Sequence, residues 1–418
     1  VNNRDLPALI IWIASRLGIL LTVTLGVALL AAGGASPPLL EGLHHWDVRK
    51  LEWIAAHGYG SDPASPAFFP GQPLALRVVG FAVPNLTVAG VVLSFVAGAV
   101  AVVALSRLAD REGGEGTGPV AVLALVLAPT AVFLFVGYSE ALFLAFAIPA
   151  WLAARQRRWM WAGLLGAGAS CVRITGLFLA LALIVEFFTA RPRRAGAEAR
   201  TWRGAAAPRL SRRAGRSAGG TRLLESPVTR RAGTGGRMGG AAGSAGSHRS
   251  PGSSGERDAG WLAVPFLPLV AYSVYQFVRT GDWLAWHHAQ EAGWGRHLVW
   301  PWESFLTTVR SAFLMDNKFT WAFRMELVAA AVGLAFVLWL LYRRRWSEFV
   351  YTGSQLGALL VSSYYLSIPR TLLLWWPMWI ALACACRRHS WLLWVYGLVA
   401  GPLMVVNALA FLHGVWAG

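Results

Sequence analysis

Residues 44–73 read HHWDVRKLEWIAAHGYGSDPASPAFFPGQP, a run of acids, bases and aromatic rings set between two long apolar segments. A very hydrophobic chain has little reason to crowd such groups into one connection unless chemistry takes place there, and this loop is read as the active site. Asp47 follows the first apolar segment closely and falls where a membrane surface should be. A carboxylate among bases is the material of proton transfer. The competing reading is that Asp47 caps the N-terminus of a short helix, worth roughly 1 kcal/mol. Capping alone leaves the surrounding wealth of His, Arg and aromatic residues without a reason.

The elements that must position this acid are legible. Val48, Leu51, Ile54 and Ala55 share one face of a helix over residues 48–57, and Gly58 is a natural stop. Trp46, Trp53 and Tyr59 suit a membrane interface, where such rings keep one wet edge. Pro66, Ala67-Phe68-Phe69-Pro70 and Pro73 then predict a stiff, extended return into the next membrane helix.

Composition fixes the class. The chain has 418 residues, 56% of them hydrophobic, with 22 Trp and a mean hydropathy of +0.51, above what soluble domains carry. It reads as an all-α polytopic membrane protein. The net charge of +17 does not point to nucleic acid: fifteen Arg against Glu198, Glu225, Glu256 and Asp258 put about +11 of it between residues 191 and 258. Cys171, Cys384 and Cys386 lie in or beside apolar runs, without zinc or redox spacing, and are expected to be buried. The first apolar run is too long for a cleavable signal and is expected to stay as an anchor helix.

Apolar runs fall at about 7–32, 80–106, 119–136, 140–154, 159–172, 175–189, 260–278, 325–342, 349–367, 371–386 and 391–413, about eleven in all. With a cytoplasmic N-terminus, the basic clusters at 155–158, 191–257, 343–345 and 387–388 all lie inside. The loop 107–117 is merely neutral. The same choice puts 33–79, Tyr138-Ser139-Glu140, 279–324 and Ile368-Pro369-Arg370 outside, with Arg173 near the outer end of its helix. The polar residues that look purposeful therefore gather on one membrane face. Residues 191–258 are dominated by Gly, Ser, Ala, Arg and Pro and cannot build a core, so a disordered cytoplasmic loop is expected between two transmembrane parts, 1–190 and 259–418.

The strings Trp46-Asp47, Trp53-Ile54-Ala55, Gly58-Tyr59, Ala67-Phe68-Phe69-Pro70 and Pro73 resemble the first luminal loop of the PIG-V family of GT-C mannosyltransferases. Further matches follow in order: Tyr138-Ser139-Glu140, Arg173 with Gly176, Gly281-Asp282, Ala289-Gln290, Gly293-Trp294-Gly295-Arg296 and Ser367-Ile368-Pro369-Arg370 with Trp376-Pro377. Gly71-Gln72 and Thr371 depart from the family's pattern. The resemblance implies a GT-C-like fold of a bacterial plasma-membrane protein whose extracytoplasmic first loop carries short interfacial helices. It implies transfer of a mannose, with inversion, from a polyprenyl-phosphate sugar to a glycolipid or glycan acceptor. Asp47 would then be the catalytic base, and Arg370 and Arg173 would bind the donor phosphate, since guanidinium forks suit phosphate. Trp46, Tyr59, Phe69, Tyr138, Glu140, Asp282, Gln290, Trp294 and Arg296 would line the substrate site.

No cofactor is expected beyond the donor lipid, and a divalent metal is not expected. The pairs His44-His45 and His287-His288 diverge on either a helix or a strand. Each arginine also admits a plainer reading as an interfacial side chain reaching for water, and Glu140 one as a helix-start acid. The rival class is a transporter or lipid flippase, which would place ionisable groups near the membrane midplane. Partners are membrane lipids, the donor and the acceptor. Oligomeric state is not legible.

Overall fold

The computed structural model describes residues 3–31, 39–60, 62–189, 258–316 and 318–416. The expectations for residues 191–257 and for 33–38 of the first loop fall outside the described residues. Helices α1 (Leu6–Ala31), α2 (Leu39–Leu43), α3 (Asp47–His57), α4 (Gly71–Gly80), α5 (Leu86–Gly113), α6 (Thr117–Val126), α7 (Glu140–Arg155), α8 (Trp159–Val172) and α9 (Gly176–Thr189) make the first part. After the undescribed segment come α10 (Leu267–Thr280), α11 (Ala285–Trp294), α12 (Pro301–Phe313), α13 (Thr320–Tyr342), α14 (Trp346–Leu360), α15 (Ile368–Leu372), α16 (Trp376–Arg388) and α17 (Trp391–Leu412). Among the described residues there is no strand, only an isolated bridge between Leu298 and Ser362. The protein is an all-helical, polytopic membrane protein.

Five helical stretches are long and apolar enough to cross a bilayer: Leu6–Gly26, Leu86–Gly113, Asp258–Thr280, Thr320–Tyr342 and Trp391–Leu412. Several other apolar runs break into shorter pieces for identifiable reasons. The run at 119–136 stops as α-helix at Val126, near Pro129, and resumes as a 3₁₀ turn over Ala131–Leu134. The run at 371–386 begins its helix only at Trp376, with Pro377 in the first turn. The run read from residue 80 starts instead at Leu86, because the Asn85 side chain accepts the Val88 N–H at 3.0 Å and caps the helix there.

The core runs through α5, α6, α7 and α8 and takes in Trp151, Phe133, Phe143, Trp375 and Trp376, each fully buried. One close approach matters for the site. A Cβ at Gly90 of α5 would stand 2.8 Å from the Gly137 Cα, so only glycine lets α5 press against the turn that delivers Tyr138 and Glu140. At the other end of α7, Arg155 joins Glu112, Glu186 and Glu348, and Arg345 joins Glu112 and Glu348. This buried network fastens α5, α7, α9 and α14 together. A 16-residue helix spans about 24 Å, so α7 alone separates the network from Glu140 by most of a bilayer core.

Candidate active site

Asp47 opens α3, but it does not cap it. The N-cap is Trp46, in the left-handed region at φ 52°, and no side chain caps the helix. The Asp47 carboxylate is thereby left for other work. Its Oδ2 accepts from Arg370 Nη1 at 2.7 Å, and among the described residues no donor reaches Oδ1. The Asp47 backbone N–H donates to the Tyr138 hydroxyl at 3.3 Å.

Arg370 lies on α15, one turn beyond the break that ends α14, and its side chain is 11% exposed. Its Nε stands 3.2 Å from Glu140 Oε1, the same oxygen that takes Arg173 Nη1 at 2.8 Å. Arg173 also donates to Ser139 Oγ at 2.6 Å. The charges therefore alternate along a chain: Arg173, Glu140, Arg370, Asp47. The rings of Phe133, Tyr138 and Trp416 surround the Arg370 guanidinium at 5.2–5.6 Å, as cation–π neighbours. Burial acts to lower the Arg370 pKa, but Asp47 and Glu140 outweigh it and hold the group above its ordinary value.

A cavity of about 520 Å³ opens over this chain, and Asp47, Ser139, Arg173 and Arg370 line one side of it. Phe68 and Phe69, from the return segment, form a second wall. Trp286, His287, Gln290 and Trp294 of α11 form a third, with Arg296 just beyond it. Gly295, at φ 63°, ends α11 with its N–H on Glu291 O at 2.8 Å and turns the chain so that Arg296 faces back. Arg296 Nε donates to Ser362 Oγ at 3.0 Å, and no carboxylate among the described residues pairs with it. Burial lowers its pKa below the usual arginine value. Thr175 Oγ1, His287 Nδ1 and Gln355 Oε1, from residues that line the cavity, are buried without a hydrogen-bond partner among the described residues.

The sequence-derived residues separate into three groups. Asp47, Arg370, Arg173, Phe69, Gln290, Trp294 and Arg296 line the cavity directly. Trp46, Tyr138 and Glu140 stand immediately behind it: Trp46 packs edge-on against the cavity residue Trp416 at 5.3 Å, Glu140 is 0% exposed, and Tyr138 is 1% exposed. Tyr59 and Asp282 lie elsewhere. The Tyr59 hydroxyl donates to Phe68 O at 2.6 Å from a separate cavity of about 410 Å³ shared with Cys171, Tyr272 and Tyr275. Asp282 pairs with His288 at 2.6 Å on the exposed surface, and this histidine holds its carboxyl below the usual range.

The histidine pairs do diverge. His44 turns to Glu52 at 2.9 Å and His45 to Leu412 O at 3.2 Å, while His288 faces away from the cavity that His287 lines. Among the described residues no group of three or more His, Cys, Asp or Glu is placed to hold a metal ion. Of the three free cysteines, Cys386 is buried, and Cys171 and Cys384 are partly so.

Sequence reasoning passed over Trp416, Ser362 and Glu326. Trp416 lies beyond the last apolar run, where no motif points to it. Glu326 carried a usable signal: it is an acid inside an apolar span.

Residues 32–190 match the family described as Mannosyltransferase (PIG-V). Over 152 residues the chain is 38% identical to GPI alpha-1,6-mannosyltransferase 2 of Cricetulus griseus and 37% identical to that of Homo sapiens. Each match covers 33% of this chain and 30% of the relative, so the chain spans about a third of the length of the curated relatives it matches. No solved structure matches it. The segment that carries Asp47, Tyr138, Glu140 and Arg173 is therefore similar to PIG-V mannosyltransferases.

Proposed function

We propose that the protein is a membrane glycosyltransferase that moves a mannose from a polyprenyl-phosphate donor to a hydroxyl of a GPI-type glycolipid, at the extracytoplasmic face and with inversion. The observation that carries this reading is the ion pair of Asp47 with Arg370 in the wall of a cavity that also presents Phe68, Phe69, Trp286 and Trp294. The acceptor hydroxyl approaches Asp47 Oδ1, which takes its proton as the acceptor oxygen bonds to the anomeric carbon. The bond from that carbon to the phosphate oxygen breaks on the opposite face, and its electron pair leaves with the lipid phosphate. The phosphate gains one negative charge in that step, so cations already in place lower the barrier.

Three arginines divide this work. Arg370 and Arg173 are each tied to carboxylates, which fixes their position and offsets part of their charge. Arg296 has no carboxylate in ion-pair contact among the described residues, with Glu326 acting on it only from further off, and it joins them as a phosphate ligand. His287, Thr175 and Gln355 offer polar atoms to sugar hydroxyls, and Trp286 and Trp294 offer ring faces. Transport gains less support, because the charged groups of this cavity come from helix ends and loops rather than from the middle of the long spans.

The test is direct. Purified protein is incubated with radiolabelled polyprenyl-phosphate mannose and a GPI-type glycolipid, and the product is extracted and separated. Labelled glycolipid is the expected result. Passage of the donor across proteoliposomes with no glycolipid product would overturn the reading in favour of a flippase.

A further inference from the structure

Glu326 lies in the second turn of α13, inside a long apolar span, and is 1% exposed. No basic side chain among the described residues pairs with it. Instead, one carboxylate oxygen accepts the backbone N–H of Ser367 at 2.5 Å and the other that of Ile368 at 2.9 Å. An ionised carboxylate out of water is costly unless such charge-assisted bonds replace its hydration. The two N–H groups it holds belong to the turn that launches α15.

That turn cannot be expected to hold itself. Ser367 has φ 68°, a left-handed conformation that costs a non-glycine residue on the order of 1–3 kcal/mol. Helix α15 has five residues, too few to be stable alone, and Pro369 within it has no N–H to give. Thr371 closes the turn from the other side, its N–H and Oγ1 both donating to Ser367 O, at 2.9 and 2.7 Å. Arg370 is the middle residue of α15. The same loop is also stitched to the chain around Arg296: Tyr364 donates to Trp294 O at 2.7 Å, and Val299 N–H to Val361 O at 2.9 Å.

We propose that Glu326 is a positioning residue: by holding the Ser367 and Ile368 N–H groups, its carboxylate sets where Arg370 stands against Asp47. It touches neither substrate nor the reacting atoms. The kinetic consequence rests on the mannosyl-transfer reading, whereas the conformational consequence does not.

Two variants separate the possibilities. Glu326→Gln keeps the size but puts an NH₂ donor against a backbone donor, whereas Glu326→Asp keeps both acceptor oxygens at shorter reach. Amide hydrogen exchange in the fragment covering 362–372 should speed up in Glu326→Gln and recover in part in Glu326→Asp, with exchange in the rest of α13 unchanged. With polyprenyl-phosphate mannose as donor, Glu326→Gln should lower kcat by about tenfold or more while the donor KM moves less than about threefold, and Glu326→Asp should restore part of the rate. In an Arg370→Lys background the same Glu326→Gln change should cost less than about threefold, since the two residues act as one unit. Unchanged exchange in 362–372, or an equal loss of kcat in both backgrounds, would overturn the proposal. A wild-type protein that transfers no mannose would instead defeat the mannosyl-transfer reading, and the exchange result would then decide the role of Glu326. If Glu326→Gln does not reach the membrane, Glu326→Asp against wild type carries the same comparison.

Discussion

Asp47 and Arg370 stand 323 positions apart in the chain, yet Oδ2 of one lies 2.7 Å from Nη1 of the other. The contact joins the start of α3, in the segment matched to PIG-V mannosyltransferases, to the short helix α15 far beyond that segment. The first part brings the acid, Tyr138, Glu140 and Arg173, and the last part brings Arg370 and Arg296. Neither part holds the arrangement alone.

The two arginines should fail differently. Arg370→Lys keeps a charge but loses the planar fork that bridges Asp47 and Glu140, so a partial loss of turnover is expected, with a larger one for Arg370→Ala. Arg296→Gln removes a charge that no carboxylate among the described residues pairs with directly, and should raise the donor KM by about tenfold or more with a smaller effect on kcat. Steady-state kinetics at varied donor concentration reads both. An unchanged donor KM in Arg296→Gln would remove it from the phosphate site.

Stability is expected to depend on the opposite end of α7. Arg155 pairs with Glu112, Glu186 and Glu348 and its side chain is 8% exposed, so Arg155→Ala leaves three buried acids short of a cation. Breaking such a buried pair costs about 3–5 kcal/mol. The melting temperature in detergent should fall clearly, while turnover per folded molecule at low temperature stays near normal. A wild-type melting temperature would show that Arg345 alone suffices for the network.

Topology has a separate check. The positive-inside rule puts the first loop outside and the arginine-rich stretch inside. Alkaline phosphatase fused near Pro63 should be active, and fused near Gly219 it should not. The reverse pattern would place the cavity on the cytoplasmic side.

Much of this site was legible in the sequence because its residues sit at breaks in apolar runs. Glu140, Arg173 and Arg370 each stand at the edge of an apolar run and Asp47 in the polar loop after the first one, where polar groups stand out. Their pairing was not legible, since nothing local tells that Arg370 takes both Asp47 and Glu140. Tyr59 and Asp282 looked equivalent to their neighbours by the same criterion. Tyr59 turns behind the Phe68 backbone and Asp282 is captured by His288 six residues on. Helix boundaries slipped where one local bond decided them, as Asn85 does for α5. Of the eleven apolar runs five are long spans; prolines at 129 and 377 interrupt two of the others, and the remaining four are the shorter helices α7, α8, α9 and α14.

In the proposed reaction Asp47 takes the proton of the acceptor hydroxyl. Asp47→Asn preserves size and still offers an oxygen to Arg370, but it cannot accept a proton at neutral pH. Asp47 supplies no cap to α3, so the change should leave the fold intact. Mannosyl transfer by the purified variant, measured beside its melting temperature and its binding of the donor, is the most direct test. The expected result is a folded, donor-binding protein slowed by about 10²–10⁴-fold, the usual loss when a general base is removed. Near-normal turnover in Asp47→Asn would contradict the account.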